Sequence, residues 1–284
     1  MRFAGDTAFF KIPRREATSF KLDDLCQLCP EHGIADIEGI AVTYSMGDNF
    51  SAITPIDRLI NRGLISREGA GEHTGGGTRV FDVVKESGIP AVAIPGLHRG
   101  SPTDPRFKVY SHQASPEKIG IAYEVFRHLG PDCIVCDVSS NTVSLLVKEG
   151  KIVGGFDACL FAPGRVHGAL DLDAIRAVDG GDISANDAFL QAGVSAHLPE
   201  DQQIPALAMF AAMECAALRL LAPEAPVALC GSLSGAVKPG VTELLGSEPF
   251  ILDEWAAARG LSAIAEAVFS GKIDSILGIP VDYS

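Results

Sequence analysis

The sequence predicts an α/β fold in two domains, and three observations lead to that prediction. The chain has 284 residues, which exceeds the roughly 150 residues of an average domain. Short apolar segments of strand length alternate along it with longer amphipathic segments of helix length. Three consecutive apolar segments leave no room for a helix between them. We therefore expect helices packed on largely parallel sheets, with one antiparallel meander.

The apolar and amphipathic segments give the predicted elements in order. Strands are predicted at residues 1–4, 9–13, 37–44, 91–95, 133–138, 142–147, 152–160, 227–231 and 250–252. Helices are predicted at residues 22–29, 56–61, 79–87, 116–129, 171–178, 185–191, 204–221 and 256–269. The start at Pro116 is marked by the preceding Ser115, a capping residue, and by Glu117 near the positive end of the helix dipole.

The segment 133–160 holds the three strands that follow one another directly. Their connections are only about three residues long, which permits hairpins and excludes a helical crossover. A meander that opens an α/β domain is typical of the ribonuclease-H-like fold. The first half repeats this pattern in part, so we expect two such domains, 1–118 and 119–284. The first would lack its opening strand, and the C-terminal helix could return to it.

Composition and charge exclude several classes of protein. Hydrophobic residues make up 47% of the chain and charged residues 21%, which excludes a disordered or collagen-like protein. Of the net charge of −13, residues 129–284 carry −12. Such an acidic surface disfavours nucleic acid and anionic membranes as partners. The seven cysteines and the lack of a signal-peptide-like N-terminus predict a reduced, cytoplasmic protein.

The turn that follows the strand 133–138 is the first candidate site. Asp137 ends a buried strand and could hold Mg²⁺ through water. Hydroxyl, amide and backbone groups of the turn could hold phosphate, and they belong to Ser139, Ser140, Asn141 and Thr142. The alternative is a polar hairpin whose Asp and Asn side chains bond to their own backbone.

Further candidates lie at other strand ends. Gly231 and Ser232 follow a buried strand, where ligands of open α/β sheets gather and where glycine permits close approach. The alternative is an ordinary turn. Side chains suited to phosphoryl charge or to proton transfer lie on or after other strands. Asp157 lies on the third strand of the meander, and the residues that follow a strand are Asp48, Arg99, Arg165, His167 and Asp171.

Taken together, these segments resemble the superfamily of actin, sugar kinases, heat-shock chaperones and acetate kinases. The most specific likeness lies in residues 154–176 (GGFDACLFAPGRVHGALDLDAIR), 42–48 (VTYSMGD) and 110–118 (YSHQASPEK). These segments are similar to the kinase-like methanogenesis marker protein 12 family of methanogenic archaea. The resemblance covers nearly the whole chain. It implies two ribonuclease-H-like domains with ATP in the cleft between them.

The resemblance also implies roles for the candidate residues. Asp137 would organise Mg²⁺ and the turn after it would hold phosphates, while Gly231 and Ser232 would accept the adenosine. Arg99, Arg165 and His167 would stabilise the transferring group, with Asp48 or Asp157 as the base. The expected activity is an ATP- and Mg²⁺-dependent phosphotransferase of the acetate and butyrate kinase type. Its partners would be a small-molecule substrate, a methanogenesis protein and a second copy of the chain.

Two departures favour an alternative, a non-catalytic nucleotide-binding protein that regulates or assembles methanogenesis components. Ser139, Ser140 and Asn141 stand where active superfamily members usually carry glycines. The family pattern would also place a strand and an Asp-x-Gly-Thr-Thr turn before Met1. We hypothesise that the chain begins at an internal Met, one strand late. The alternative is a native start in a branch that lost this loop.

Overall fold

A computed structural model describes residues 7–13, 15–24, 36–43, 50–59, 76–271 and 273–283. The chain divides into two compact units, and each is contributed by more than one stretch of the chain. The first unit comprises Met1–Pro102, Lys108–Glu124 and Ala257–Ser284. The second unit comprises Thr103–Phe107 and Val125–Ala256. Within the described ranges, none of the helices combines the length and hydropathy needed to cross a lipid bilayer.

The first unit is built on short strands. They are β1 (Ile40–Val42), β2 (Thr54–Pro55), β3 (Ala91–Ala93), β4 (Leu97–His98), β5 (His112–Ala114), β11 (Ser275–Ile276) and β12 (Ile279–Pro280). The order β1-β3-β2 forms one sheet, with β1 parallel and β2 antiparallel to β3. Helix α1 (Gly76–Glu86) begins three residues earlier than predicted. Its Phe81 packs in a buried apolar cluster with Val42 and Ala93.

Two longer helices also contribute to the first unit. Helix α2 (Glu117–Leu129) belongs to it as far as Glu124, and helix α8 (Ala256–Phe269) belongs to it from Ala257 onward. They touch backbone to backbone at Gly120 and Gly260. A Cβ added to Gly260 would lie 1.8 Å from the Gly120 carbonyl oxygen. Beside this contact, Arg259 Nε donates to Glu124 Oε1 at 2.9 Å, and Glu124 is buried.

One predicted strand of the first half is wrong. Residues 9–13 form no strand, although the segment begins with two aromatic side chains, a residue type that favours strands. Alternate side chains here are half-buried and exposed, and the segment lies outside the ladders of the described sheets. Alternation predicts a strand only where a neighbouring strand supplies the hydrogen bonds. Residues 1–4 and the later parts of the helices predicted at 22–29 and 56–61 lie outside the described residues.

The second unit is a five-stranded sheet covered by helices. Its strands are β6 (Cys133–Val138), β7 (Thr142–Lys148), β8 (Lys151–Phe156), β9 (Val227–Cys230) and β10 (Phe250–Ile251), in the order β10-β9-β6-β7-β8. Its helices include α3 (Leu172–Asp179), α4 (Ala185–Leu190), α5 (Val194–His197), α6 (Glu200–Arg219) and α7 (Ser234–Leu245). The antiparallel pairs β6–β7 and β7–β8 confirm the predicted meander. Strands β9 and β10 add to it in parallel.

The central position of β6 follows from its composition. Each of its six residues is buried, as expected of a strand covered on both faces. Strand β8 ends at Phe156, four residues before the predicted end, because the chain turns at Asp157. Helix α6 packs on β6 and β7. It begins at Glu200, four residues before the predicted start, so that two acidic residues occupy its first turn.

Candidate functional site

The candidate site lies where the parallel strands β6 and β9 end. Asp137 pairs with Cys230 in the register of these strands, and its side chain is 6% exposed. Gly231 follows directly with φ +87°, a conformation that favours glycine. A Cβ at Gly231 would lie 2.3 Å from Asp137 Oδ1 and 2.6 Å from the Val138 carbonyl oxygen. The backbone of Gly231 thus lies directly against the Asp137 carboxylate, and only glycine fits this position.

The turn at residues 139–141 is held by a second segment of the unit, which we call the clasp and define as residues 162–167. The backbone amide of Arg165 donates to the Ser139 oxygen at 3.0 Å, and the amides of Val166 and His167 both donate to the Ser140 oxygen at 3.0 Å. Contact between the two backbones is close. A Cβ at Gly164 would lie 2.2 Å from the Ser140 oxygen.

Two further hydrogen bonds join the turn to its surroundings. The hydroxyl of Thr142 donates to the Pro163 oxygen at 2.8 Å, which ties the start of β7 to the clasp. The amide of Leu233 donates to the Val138 oxygen at 3.0 Å, which ties the β9–α7 connection to the end of β6. Three segments that are distant in sequence are thus brought together. They carry the predicted residues Asp137, Ser139, Ser140, Asn141, Thr142, Arg165, His167, Gly231 and Ser232.

The side chains around the turn differ in their exposure. Ser140, Arg165 and Ser232 are exposed, whereas Thr142 is fully buried. The His167 ring stacks on Phe189 with ring centroids 4.9 Å apart, and its Nδ1 is buried without a hydrogen-bond partner among the described residues. Hydroxyl, guanidinium and imidazole groups beside a buried carboxylate suit an anion that arrives with a divalent cation.

One backbone amide of the turn and three of the clasp are used within the site. Ser139 N donates to the Asn141 oxygen at 2.8 Å, and the amides of Arg165, Val166 and His167 bond to the turn, as described above. In glycine-rich phosphate loops such amides instead point at the ligand. An anion bound here would therefore depend more on side chains and on charge.

Glu214 on α6 is a buried group that sequence reasoning missed. It is fully buried, and its Oε1 accepts a hydrogen bond from the Ala162 amide at 3.1 Å. Burial raises the pKa of this carboxyl to about 8, and the charge of the nearby Asp157 acts in the same direction. The Ala162 amide and the Ser144 hydroxyl oppose the shift. The available signal was an acid in the otherwise apolar segment 204–218.

The remaining predicted residues are placed elsewhere. Asp157 is buried at the end of β8, near Glu214. Arg99 belongs to the first unit, is exposed, and donates to the backbone oxygens of Lys108 at 3.0 Å and Val109 at 3.2 Å. Asp48 lies outside the described residues. Asp171 caps α3, where its Oδ1 accepts from the amides at positions 173 and 174, so it serves that helix rather than a ligand.

The fit of a metal ion depends on Asp137. In the part of the chain that the structure describes, no group of three or more His, Cys, Asp or Glu side chains could hold a metal ion. One carboxylate at the end of a buried strand, beside a position closed to any Cβ, still fits Mg²⁺. This ion commonly takes one or two carboxylates and completes its shell with phosphate and water.

Two solved structures share the fold of the chain. Acetate kinase from Porphyromonas gingivalis aligns with a TM-score of 0.50 and 12% identity, over 82% of this chain and 79% of that enzyme. Acetate kinase from Entamoeba histolytica aligns with a TM-score of 0.50 and 8% identity, over 82% of this chain and 73% of that enzyme. The chain therefore has the two-domain α/β fold of these acetate kinases, as the sequence predicted.

Relatives at the level of sequence come from methanogens. A protein of Methanosarcina mazei named UPF0285 protein is 46% identical over 314 residues, which cover 100% of this chain and 96% of the relative. A UPF0285 protein of Methanocaldococcus jannaschii is 41% identical over 306 residues, which cover 96% of this chain and 92% of that relative. No protein-family model matches the chain. On the strength of these identities and coverages, the chain belongs to the UPF0285 protein family.

Proposed function

We propose that the chain is an ATP- and Mg²⁺-dependent phosphotransferase of the acetate and butyrate kinase type that serves methanogenesis, in the manner expected of the methanogenesis marker protein 12 family. Its second substrate would be a small carboxylate or hydroxyl compound. The observation that carries the proposal is the convergence of residues 137–142, the clasp and residues 231–234 around the buried Asp137. The shared fold with acetate kinases supports it.

Each residue has a role in this proposal. Asp137 would hold Mg²⁺, which neutralises phosphate charge when bound. The Ser139, Ser140 and Asn141 side chains would contact the phosphates, and the Thr142 hydroxyl, which donates to the clasp, would fix the turn. Nucleoside would lie against the open backbone at Gly231 and Ser232. Phosphoryl charge would be met by Arg165 and His167, and by Arg99 of the first unit, with Asp48 or Asp157 as the base.

Calorimetric titration with Mg-ATP tests the nucleotide site. We expect Asp137→Asn to weaken binding by about 10- to 100-fold, because a contact to a charged group contributes roughly 1.5–3 kcal/mol. Asp132→Asn is the matched control, since Asp132 precedes the same strand and accepts from the Glu149 amide at 2.6 Å, as an asparagine oxygen also can. The proposal fails if the wild type binds no Mg-ATP, or if both variants bind like the wild type.

The second candidate function is a non-catalytic nucleotide-binding protein that regulates or assembles methanogenesis components. The use of the Ser139 amide and of three clasp amides within the site favours it, because these amides are then unavailable to orient a transferring phosphate. Its output would be a nucleotide-dependent change read by a protein partner or by a second copy of the chain. Measuring ADP release with a panel of small carboxylates separates the two. Repeated turnover with any of them supports the kinase, and release limited to one equivalent supports the alternative.

A further inference from the structure

A buried polar cluster adjoins the candidate site, since its member Cys136 directly precedes Asp137 in β6. Glu214 and Cys215 come from α6, Cys136 from β6 and Ser144 from β7, where Cys136 and Ser144 are direct partners in the ladder. Asp157, after β8, also acts on Glu214. All five residues are buried. The cluster lies outside the nucleotide-binding machinery proposed above except for Asp157, a candidate base.

Hydrogen bonds connect this cluster to the turn in a short series. Glu214 Oε1 accepts from the Ala162 amide, the first residue of the clasp. The next residue, Pro163, accepts from the Thr142 hydroxyl, and the amides of the following residues bond to the turn carbonyls. Glu214 thus fixes one end of the clasp, and the turn is bound to its other end.

The surroundings of Glu214 favour a neutral carboxyl. The groups that influence the pKa of Glu214 are the Ala162 amide, the Ser144 hydroxyl and the Asp157 carboxylate. Glu214 in turn raises the pKa of the Cys136 thiol, which is hydrogen-bonded to the free thiol of Cys215. None of these groups is a cation. Glu214 Oε2 is buried and has no hydrogen-bond partner among the described residues. An ionised carboxylate here would lack compensation for its lost hydration.

We infer that Glu214 is a positioning residue: its neutral carboxyl anchors Ala162 and so holds the clasp in the place from which it shapes the nucleotide-binding turn. The inference rests on the proposed function only where nucleotide is concerned. A glutamine side chain presents the same acceptor oxygen without a titrating proton, whereas an alanine side chain presents none.

The pH dependence follows from the direction of the shift. Burial raises the pKa of Glu214 from 4.5 to about 8, so the folded protein keeps a proton that the unfolded chain has lost. Stability therefore falls between pH 4.5 and about 8 and levels off above that range. Above about pH 8 the folded state carries a second buried negative charge beside Asp157. The Ala162 amide itself favours that charge, but the cost of burying the charge is larger, so the segment around Glu214 is expected to open to water and the clasp to lose protection.

Hydrogen exchange in the absence of nucleotide tests the anchor directly. We expect Glu214→Ala to speed exchange of the clasp amides at residues 165–167 by about tenfold or more, while the amides of β9 keep their wild-type rates. Glu214→Gln should match the wild type at pH 6.5 and, after correction for intrinsic rates, stay protected at pH 9. The control is Glu243→Gln, which replaces an exposed glutamate on α7 and should leave exchange of the clasp amides unchanged at both pH values.

The Mg-ATP arm uses the same variants between pH 6.5 and 9. Affinity of the wild type relative to Glu214→Gln should fall several-fold as the pH passes about 8, while Glu214→Ala binds weakly throughout. The inference is overturned if Glu214→Gln exchanges as fast as Glu214→Ala, or if both variants leave the clasp as protected as in the wild type. A wild type that binds no Mg-ATP contradicts the proposed function alone, because the exchange result still decides the inference.

Discussion

Replacing Gly231 by alanine is expected to abolish measurable Mg-ATP binding and to destabilise the second unit by about 2–4 kcal/mol. Gly231 has φ +87°, a backbone conformation that is strained for any residue with a Cβ atom. In addition, the new Cβ would lie 2.3 Å from Asp137 Oδ1 and 2.6 Å from the Val138 oxygen. Either the carboxylate or the end of β6 must move. Urea denaturation and calorimetric titration measure the two effects.

Gly235→Ala provides the matched control. This glycine lies four residues later, in α7, and a Cβ there would meet no heavy atom within 4 Å. Alanine is favoured over glycine inside a helix by roughly 0.5–1 kcal/mol, so a small gain in stability is expected. If Gly231→Ala kept the wild-type urea midpoint and affinity, the close approach of Gly231 to Asp137 would be refuted.

Gly260→Ala should destabilise the first unit by about 2–4 kcal/mol, even though it removes a glycine from a helix. The added Cβ would lie 1.8 Å from the Gly120 oxygen, which is backbone and cannot rotate away as a side chain can. Helices α2 and α8 would have to separate. The ion pair between Arg259 and the buried Glu124 would lengthen with them. Thermal unfolding followed by circular dichroism reports the loss.

The same substitution at Gly235 again serves for comparison, because it makes the identical chemical change at an open position. The changes in stability of the two variants should therefore have opposite signs, a loss for Gly260→Ala and a small gain for Gly235→Ala. Should Gly260→Ala raise the melting temperature as Gly235→Ala does, the backbone contact between α2 and α8 would not exist as described.

The sequence predicts the second unit better than the first, for a physical reason. Its meander is local, since connections of about three residues admit only hairpins, and β6 and β7 begin where predicted. The likeness to kinases assigned Arg165 and His167 to phosphoryl charge, a role that stays a prediction, and their backbone lies beside the 139–141 turn. Their amides bind the turn carbonyls, a detail that side-chain identity does not predict because every residue but proline has the same N–H group.

Contacts between distant residues escaped sequence reasoning. Glu214 meets its partner Ala162 across 52 positions, and although the apolar segment around Glu214 marks it as unusual, no local pattern indicates which backbone amide its carboxyl will meet. Gly120 and Gly260 resemble any helix-weakening glycine until their helices are seen to touch. The segment at residues 9–13 shows the reverse error, because its aromatic residues favour a strand while the segment lies outside the sheets of the described residues.

The return of the C-terminal stretch to the first unit affects the order in which the protein is made. Residues 125–256 form nearly all of the second unit, so this unit can fold while synthesis continues. The first unit, although translated first, needs the last part of the chain, since the Ile53 amide bonds to the Pro280 oxygen and Gly39 packs against Phe269. Vectorial folding, which ordinarily proceeds from the N-terminus, is therefore inverted here. We expect a nascent chain that has emerged only as far as about residue 256 to hold a completed second unit and an incomplete first unit that chaperones would bind.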